Sequence, residues 1–135
     1  MSRLFELLEK IRTKPGMYLG RPSVSDLFMF LVGYEYALSE IDIDLTEAEK
    51  QFYCDFQPWL QQKLKITSVA SWAKLIMLSC HDEKAGFEQF YKLLDEFKQC
   101  NPSLRDGIGE VLDSSHPAIN SVPVPIATAE AMPNK

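Results

Sequence analysis

Over roughly the first hundred residues, apolar positions recur at intervals of three and four, the spacing of helices that each turn one face inward. Leu4, Leu7, Leu8 and Ile11 form the first stripe, and Ser2 is placed to cap its start. Pro15 disfavours helix at the residue before it, so this helix should stop near Lys14. Gly16 and Gly20 then bracket Met17, Tyr18 and Leu19, which predicts a turn-rich connector ending at Pro22. There the glycines supply backbone angles other residues avoid, while Tyr18 and Leu19 plug the gap between two helices.

Ser23 with Asp26 resembles a capping box, and the run LFMFLVGYEYAL carries apolar residues on nearly every face, as a central helix enclosed by others would. It should fade after Ser39. Thr46, with Glu49 three residues on, opens a third helix through Phe52, Tyr53, Phe56, Trp59, Leu60 and Leu64, which Pro58 should kink near Gln57 or restart. A segment from Ser68 to His81 places Val69, Trp72, Leu75, Ile76 and Leu78 at helical spacing. A last one, from Glu83 to Gln99, uses Phe87, Phe90, Tyr91, Leu94 and Phe97. The expected fold is all-α, an irregular bundle of about five helices joined by short loops.

The pattern breaks after Asn101. Five of the eight prolines lie at Pro102, Pro117, Pro123, Pro125 and Pro133, leaving room for regular helix only from Ser103 to Leu112. The chain therefore divides into a helical domain, residues 1–101, and a proline-rich extension, residues 102–135, expected to pack on that domain or on a partner, with VPVPI extended. A length of 135 residues suits one domain, and 46% hydrophobic with 24% charged residues is ordinary globular composition.

Charge narrows the partners. A formal net charge of -5 repels phosphate backbones and anionic lipid, so neither nucleic acid nor a membrane is an expected partner, whereas a basic protein would be steered towards this one. Cys54, Cys80 and Cys100 form no close pair and suggest neither disulfides nor metal ligands. Charges interleave the apolar residues of the amino terminus and no apolar run is long enough to span a membrane, which together predict a cytoplasmic protein.

Motifs with chemistry are few. Ile11 to Gly20, IRTKPGMYLG, is similar to the opening of type II topoisomerase ATPase subunits, but no magnesium-holding Asn stands on the next helix and no glycine-rich lid follows. Asp106-Gly107-Ile108-Gly109 lies in the extension without a preceding strand, so a nucleotide-binding fragment ranks behind a protein-binding role. Arg3, Lys10, Arg12, Lys14 and Arg21 flank that turn as a solvated face interleaved by Glu6 and Glu9. In SCHDE, Cys80, His81, Asp82 and Glu83 are adjacent and point in different directions, so a helix end capped by Asp82 is expected there rather than a metal site or nucleophile. The strongest pattern is acidic: Glu35, Glu40, Asp42, Asp44, Glu47, Glu49 and Asp55 stand against Lys50 alone. With Tyr34, Tyr36 and Tyr53 near by as aromatic anchors, these acids suggest a docking surface for a basic partner.

The order of landmarks resembles small all-helical bacterial immunity proteins of contact-dependent growth inhibition and related polymorphic toxin systems. Carrying the likeness are Ile11-Arg12 with Pro15 to Gly20, Leu27 to Gly33-Tyr34, Phe56 with Trp59-Leu60, Ser71-Trp72 with Leu75-Ile76, and Ala85, Phe87, Phe90 and Leu93-Leu94 through Phe97. It spans roughly residues 4 to 98 and implies an all-helical fold and a non-enzymatic role, the stoichiometric neutralisation of a cognate toxin, with a basic nuclease the expected kind. No cofactor or catalytic residue is implied. The residues expected to meet the partner are Glu35, Glu40, Asp42, Asp44, Glu47, Glu49, Tyr53 and Asp55, with the loop from Ile41 to Thr46 at the centre. A small helical adaptor with another protein partner is the alternative reading of the same residues.

Overall fold

The computed structural model describes residues 2–102 and 104; the expected helix from Ser103 to Leu112 and the extended VPVPI segment lie outside the described residues. Six helices form, in the order α1 (Arg3–Thr13), α2 (Pro15–Leu19), α3 (Val24–Glu40), α4 (Glu47–Leu64), α5 (Trp72–Met77) and α6 (Glu83–Cys100), with no strand among the described residues. The all-α expectation holds, with one helix more than anticipated. Pro15 is the reason: at a first helical position its missing N–H costs nothing, so the expected connector winds into the short α2. Gly20 closes it at φ 84°, a conformation that favours glycine, whereas Gly16 sits at an ordinary helical angle.

Helix α6 is the axis of the core. Its Phe87, Phe90, Tyr91, Leu93, Leu94 and Phe97 are all buried, and it packs against α3, α4 and α5. Around it an aromatic cluster closes: Trp72 stacks on Phe90 at 4.8 Å between centroids, Phe56 meets Phe97 edge-on at 5.3 Å, and Phe52 stacks on Phe56 at 5.1 Å. Such contacts add about 0.5–1.5 kcal/mol each beyond their area. Gly86 permits the close approach of α6 to its neighbours, because a Cβ there would stand 2.7 Å from both Val24 Cγ1 and Met77 Sδ. Helix α1 seals one side through Leu4, Phe5, Leu8 and Ile11, Phe5 taking the deep position expected of Leu7, while the Tyr91 hydroxyl donates to the Leu8 carbonyl at 2.7 Å.

One expected alternative falls away and two expectations change. Helix α4 runs through Pro58 without restarting; the proline leaves the Cys54 carbonyl without its helical donor, but that residue is exposed, where water can supply one. Helix α5 begins at Trp72 rather than near Ser68, because α4 side chains hold the preceding loop by its carbonyls. Gln57 donates to Ala70 and Gln61 to Ser68, so Ser71 becomes the cap and Val69 is left fully exposed. Helix α3 is not enclosed: Val24, Leu27 and Leu31 are buried, while Met29, Val32 and Tyr36 face outward. No helix among the described residues is long and apolar enough to cross a membrane.

Candidate protein-binding surface

The seven acids between Glu35 and Asp55 separate into two kinds once the chain folds. Glu49 is fully buried. Thr46 caps α4 as expected, its hydroxyl accepting from the Glu49 N–H at 3.2 Å while the Glu49 carboxylate accepts from the Thr46 N–H at 2.9 Å. The same carboxylate accepts from the Leu4 N–H at 3.1 Å and takes both nitrogens of the Arg3 fork, Nη2 at 2.8 Å and Nε at 3.2 Å. Burial pushes the Glu49 carboxyl up, but the Arg3 guanidinium and the two backbone N–H groups outweigh it and hold the group below the usual carboxylate range. Glu49 was an expected partner contact; with every oxygen spent on α1 and the α4 cap it offers no surface to a partner, and its role is to lock the start of α1 to the start of α4.

Arg3 does a second job. Its Nη2 donates to the Asp44 carbonyl at 2.9 Å and so fixes the loop between α3 and α4 from behind. From in front, the loop is fixed by the end of α3: the Ile43 N–H donates to the Leu38 carbonyl at 2.9 Å and the Asp42 N–H to the Ser39 carbonyl at 3.2 Å. That paired pattern is a Schellman motif, with Asp42 at φ 57° in the position that usually holds glycine. The backbone of the loop is therefore ordered while its carboxylates stay outside.

Those carboxylates share one corner. Glu40, Asp42, Asp44 and Glu47 are exposed, and half-buried Glu35 joins Asp42 and Asp44 around an open recess of about 330 Å³ whose apolar lining is Leu38, Ile43 and Leu45. Lys50 pairs with Glu47 at 3.2 Å; among the described residues no ion pair reaches Glu35, Glu40, Asp42 or Asp44. Burial raises the Glu35 carboxyl, and raises that of Asp55 further along α4. Tyr53 lies half-buried behind the corner, its hydroxyl donating to the Leu31 carbonyl at 3.2 Å. Of the three expected anchors, Tyr34 and Tyr53 pack against the core and Tyr36, 65% exposed, projects outward.

Helix α3 itself makes this corner costly. Its carboxyl end carries the negative pole of the aligned peptide dipoles, where a base would be favourable, yet its last turn holds Glu40 and no base, with Asp42 immediately beyond. Each acid so placed costs about 0.3–1 kcal/mol at a surface. Elsewhere the sequence obeys the dipole: Lys10 and Arg12 end α1, and Lys98 ends α6.

Other candidate chemistry is absorbed by structure. Asp82 caps α6, accepting from the Ala85 N–H at 2.8 Å, and exposed His81 lies 3.5 Å from it. Glu83 accepts from the Ser25 N–H at 2.9 Å, from the Ser25 hydroxyl at 2.8 Å and from the Ser23 hydroxyl at 3.1 Å, tying α6 to the start of α3. The Ser23 cap is only half a box, because Asp26 turns to Arg21 at 2.8 Å instead of reaching back. Among the described residues no group of three His, Cys, Asp or Glu side chains is arranged to hold a metal.

What the helical spacing did not reveal is the outward stripe of α3: Met29, Val32, Gly33, Tyr36, Ala37 and Glu40 are all exposed, at intervals of three and four. The run is apolar on every side, so periodicity had no way to mark which face the bundle covers. Set against known proteins, the chain matches no family model, no curated protein and no solved structure.

Proposed function

We propose that this chain is a cytoplasmic immunity protein that binds and neutralises a cognate toxin domain, a basic nuclease being the expected kind, by stoichiometric protein-protein inhibition. One observation carries the reading: exposed Glu40 and Asp42 stand at the end of α3, where its dipole opposes them, and lead into a loop whose backbone is fixed from both sides. An arrangement that costs stability is retained for a use outside the fold, and negative potential on an ordered loop suits the capture of a basic partner. Long-range attraction raises the association rate, and an ordered backbone lowers the entropy lost on docking. Clustered carboxylates can occupy a phosphate-binding site as substrate mimics. The likeness to immunity proteins supports the same role.

The test is genetic and biochemical together. A tagged full-length chain captured at low salt should bring down one stoichiometric partner that is toxic when expressed alone and harmless when co-expressed with this chain. Recovery with a non-toxic housekeeping complex would instead support an adaptor.

A further inference from the structure

The outward face of α3 and the loop beyond it carry most of the large hydrophobic side chains exposed among the described residues. Of the eight large hydrophobic side chains exposed among the described residues, five lie between residues 29 and 43: Met29, Val32, Tyr36, Ile41 and Ile43. On α3 they follow one helical face, opposite the buried Val24, Leu27 and Leu31. In the middle of that face Gly33 and Ala37 are exposed, and a Cβ built on Gly33 would meet nothing within 4 Å. The face thus has a low centre between projecting Met29 and Tyr36, a relief that lets another helix approach closely. An exposed apolar stripe of this kind, rimmed by charge, marks an interaction site.

Charge decides the occupant. The carboxyl end of the stripe runs into Glu40, Asp42 and Asp44, while Glu35 turns away towards Tyr53 and Cys54 of α4. At the other end Arg21 is already held by Asp26 at 2.8 Å, and a second copy of this chain carries the same net charge of -5, so its approach is repelled rather than steered. We propose that the Met29 to Glu40 face of α3 receives an apolar helix of another protein, flanked by Lys or Arg residues that meet Glu40, Asp42 and Asp44. Tyr36 and Met29 are the apolar anchors and the acids are the rim, an arrangement in which the centre supplies affinity and the rim supplies orientation and rate. The inference rests on the protein-binding reading above but not on the partner being toxic.

Two synthetic amphipathic helical peptides test it, sharing one Leu/Ala face and differing only in Lys or Glu flanks. Each is titrated into the isotopically labelled full-length chain and followed by amide chemical shifts. The Lys-flanked peptide should shift amides of residues 29–40 and of the 41–46 loop, and its affinity should fall roughly tenfold from low to high salt. The Glu-flanked peptide should leave them unmoved. Tyr36→Asp and Met29→Asp, both at exposed positions and expected to keep the wild-type melting temperature, should each abolish the shifts. Shifts centred elsewhere, such as Met17 or Leu78, equal binding of both peptides, or unchanged binding by Tyr36→Asp would overturn the proposal. So would concentration-dependent shifts of the α3 face without peptide, which would give the face to a second copy. None of these results bears on toxin neutralisation, and failure of the co-expression test would leave the α3 assignment standing.

Discussion

Glu49 and Glu40 lie nine residues apart in one acidic run, yet the fold treats them in opposite ways. Glu49 is buried, receives a bidentate arginine and two backbone N–H groups, and joins α1 to α4. Glu40 is exposed at the wrong end of a helix dipole and gains nothing from the fold. Acidic residues close in sequence therefore divide into those that build the scaffold and those the scaffold presents. Removing the first kind should damage stability; removing Glu40 or Asp42 of the second should damage binding and leave stability equal or better.

The largest effect expected is from Glu49→Ala, which strands the Thr46 N–H and takes the carboxylate from the Arg3 fork, while the Leu4 N–H keeps the Ser2 hydroxyl, and should lower the free energy of unfolding by about 2–3 kcal/mol in urea denaturation. An effect under about 0.5 kcal/mol would erase the distinction between the two kinds of acid. Next comes Asp42→Lys, Asp44→Lys and Glu47→Lys together, expected to slow association with the captured partner about tenfold or more at low salt, with a modest fall in melting temperature because Glu47 stands in the first turn of α4 and pairs with Lys50. Asp42→Gly should relieve a left-handed conformation and raise stability by about 0.5–1 kcal/mol, a sign opposite to that of most substitutions. Smallest is Glu40→Lys, which should add about 0.5 kcal/mol of stability by matching the dipole while weakening partner binding, and paired denaturation and binding curves would show both signs.

Acid should separate the regions as well. The Glu49 carboxyl is lower in the folded state than in the unfolded chain, so its stabilisation is present above the unfolded value of about 4.3 and is lost as pH falls through the folded one. Glu35 and Asp55 have raised folded values, so their ionised forms cost stability at neutral pH and that cost is relieved on acidification through the raised values. Glu35→Gln should therefore stabilise slightly at pH 7, whereas Glu49→Gln should destabilise there and flatten the loss of stability below about pH 4.3.

Much of this was legible in the chain itself. The caps at Ser2, Thr46 and Asp82 and the stripes of α4 and α6 rest on local chemistry, and the helices begin where that chemistry says. Contacts distant in sequence were not legible. Glu49 reads as surface because its partner Arg3 is 46 residues away, and α5 is short because Gln57 and Gln61 capture carbonyls of the loop before it. The facing of α3 was hidden for a different reason, since a helix apolar on all sides carries no periodic mark of which side is covered.

The most direct test of the central claim, that the acids beyond α3 are kept for a basic partner rather than for the fold, is the association rate of the captured partner with wild type and with the Asp42→Lys, Asp44→Lys, Glu47→Lys variant across a range of salt. A wild-type rate that falls steeply with salt, against a variant rate that is slow and nearly flat, is the predicted result. Equal rates with equal salt dependence would contradict it and return the corner to an ordinary solvated surface.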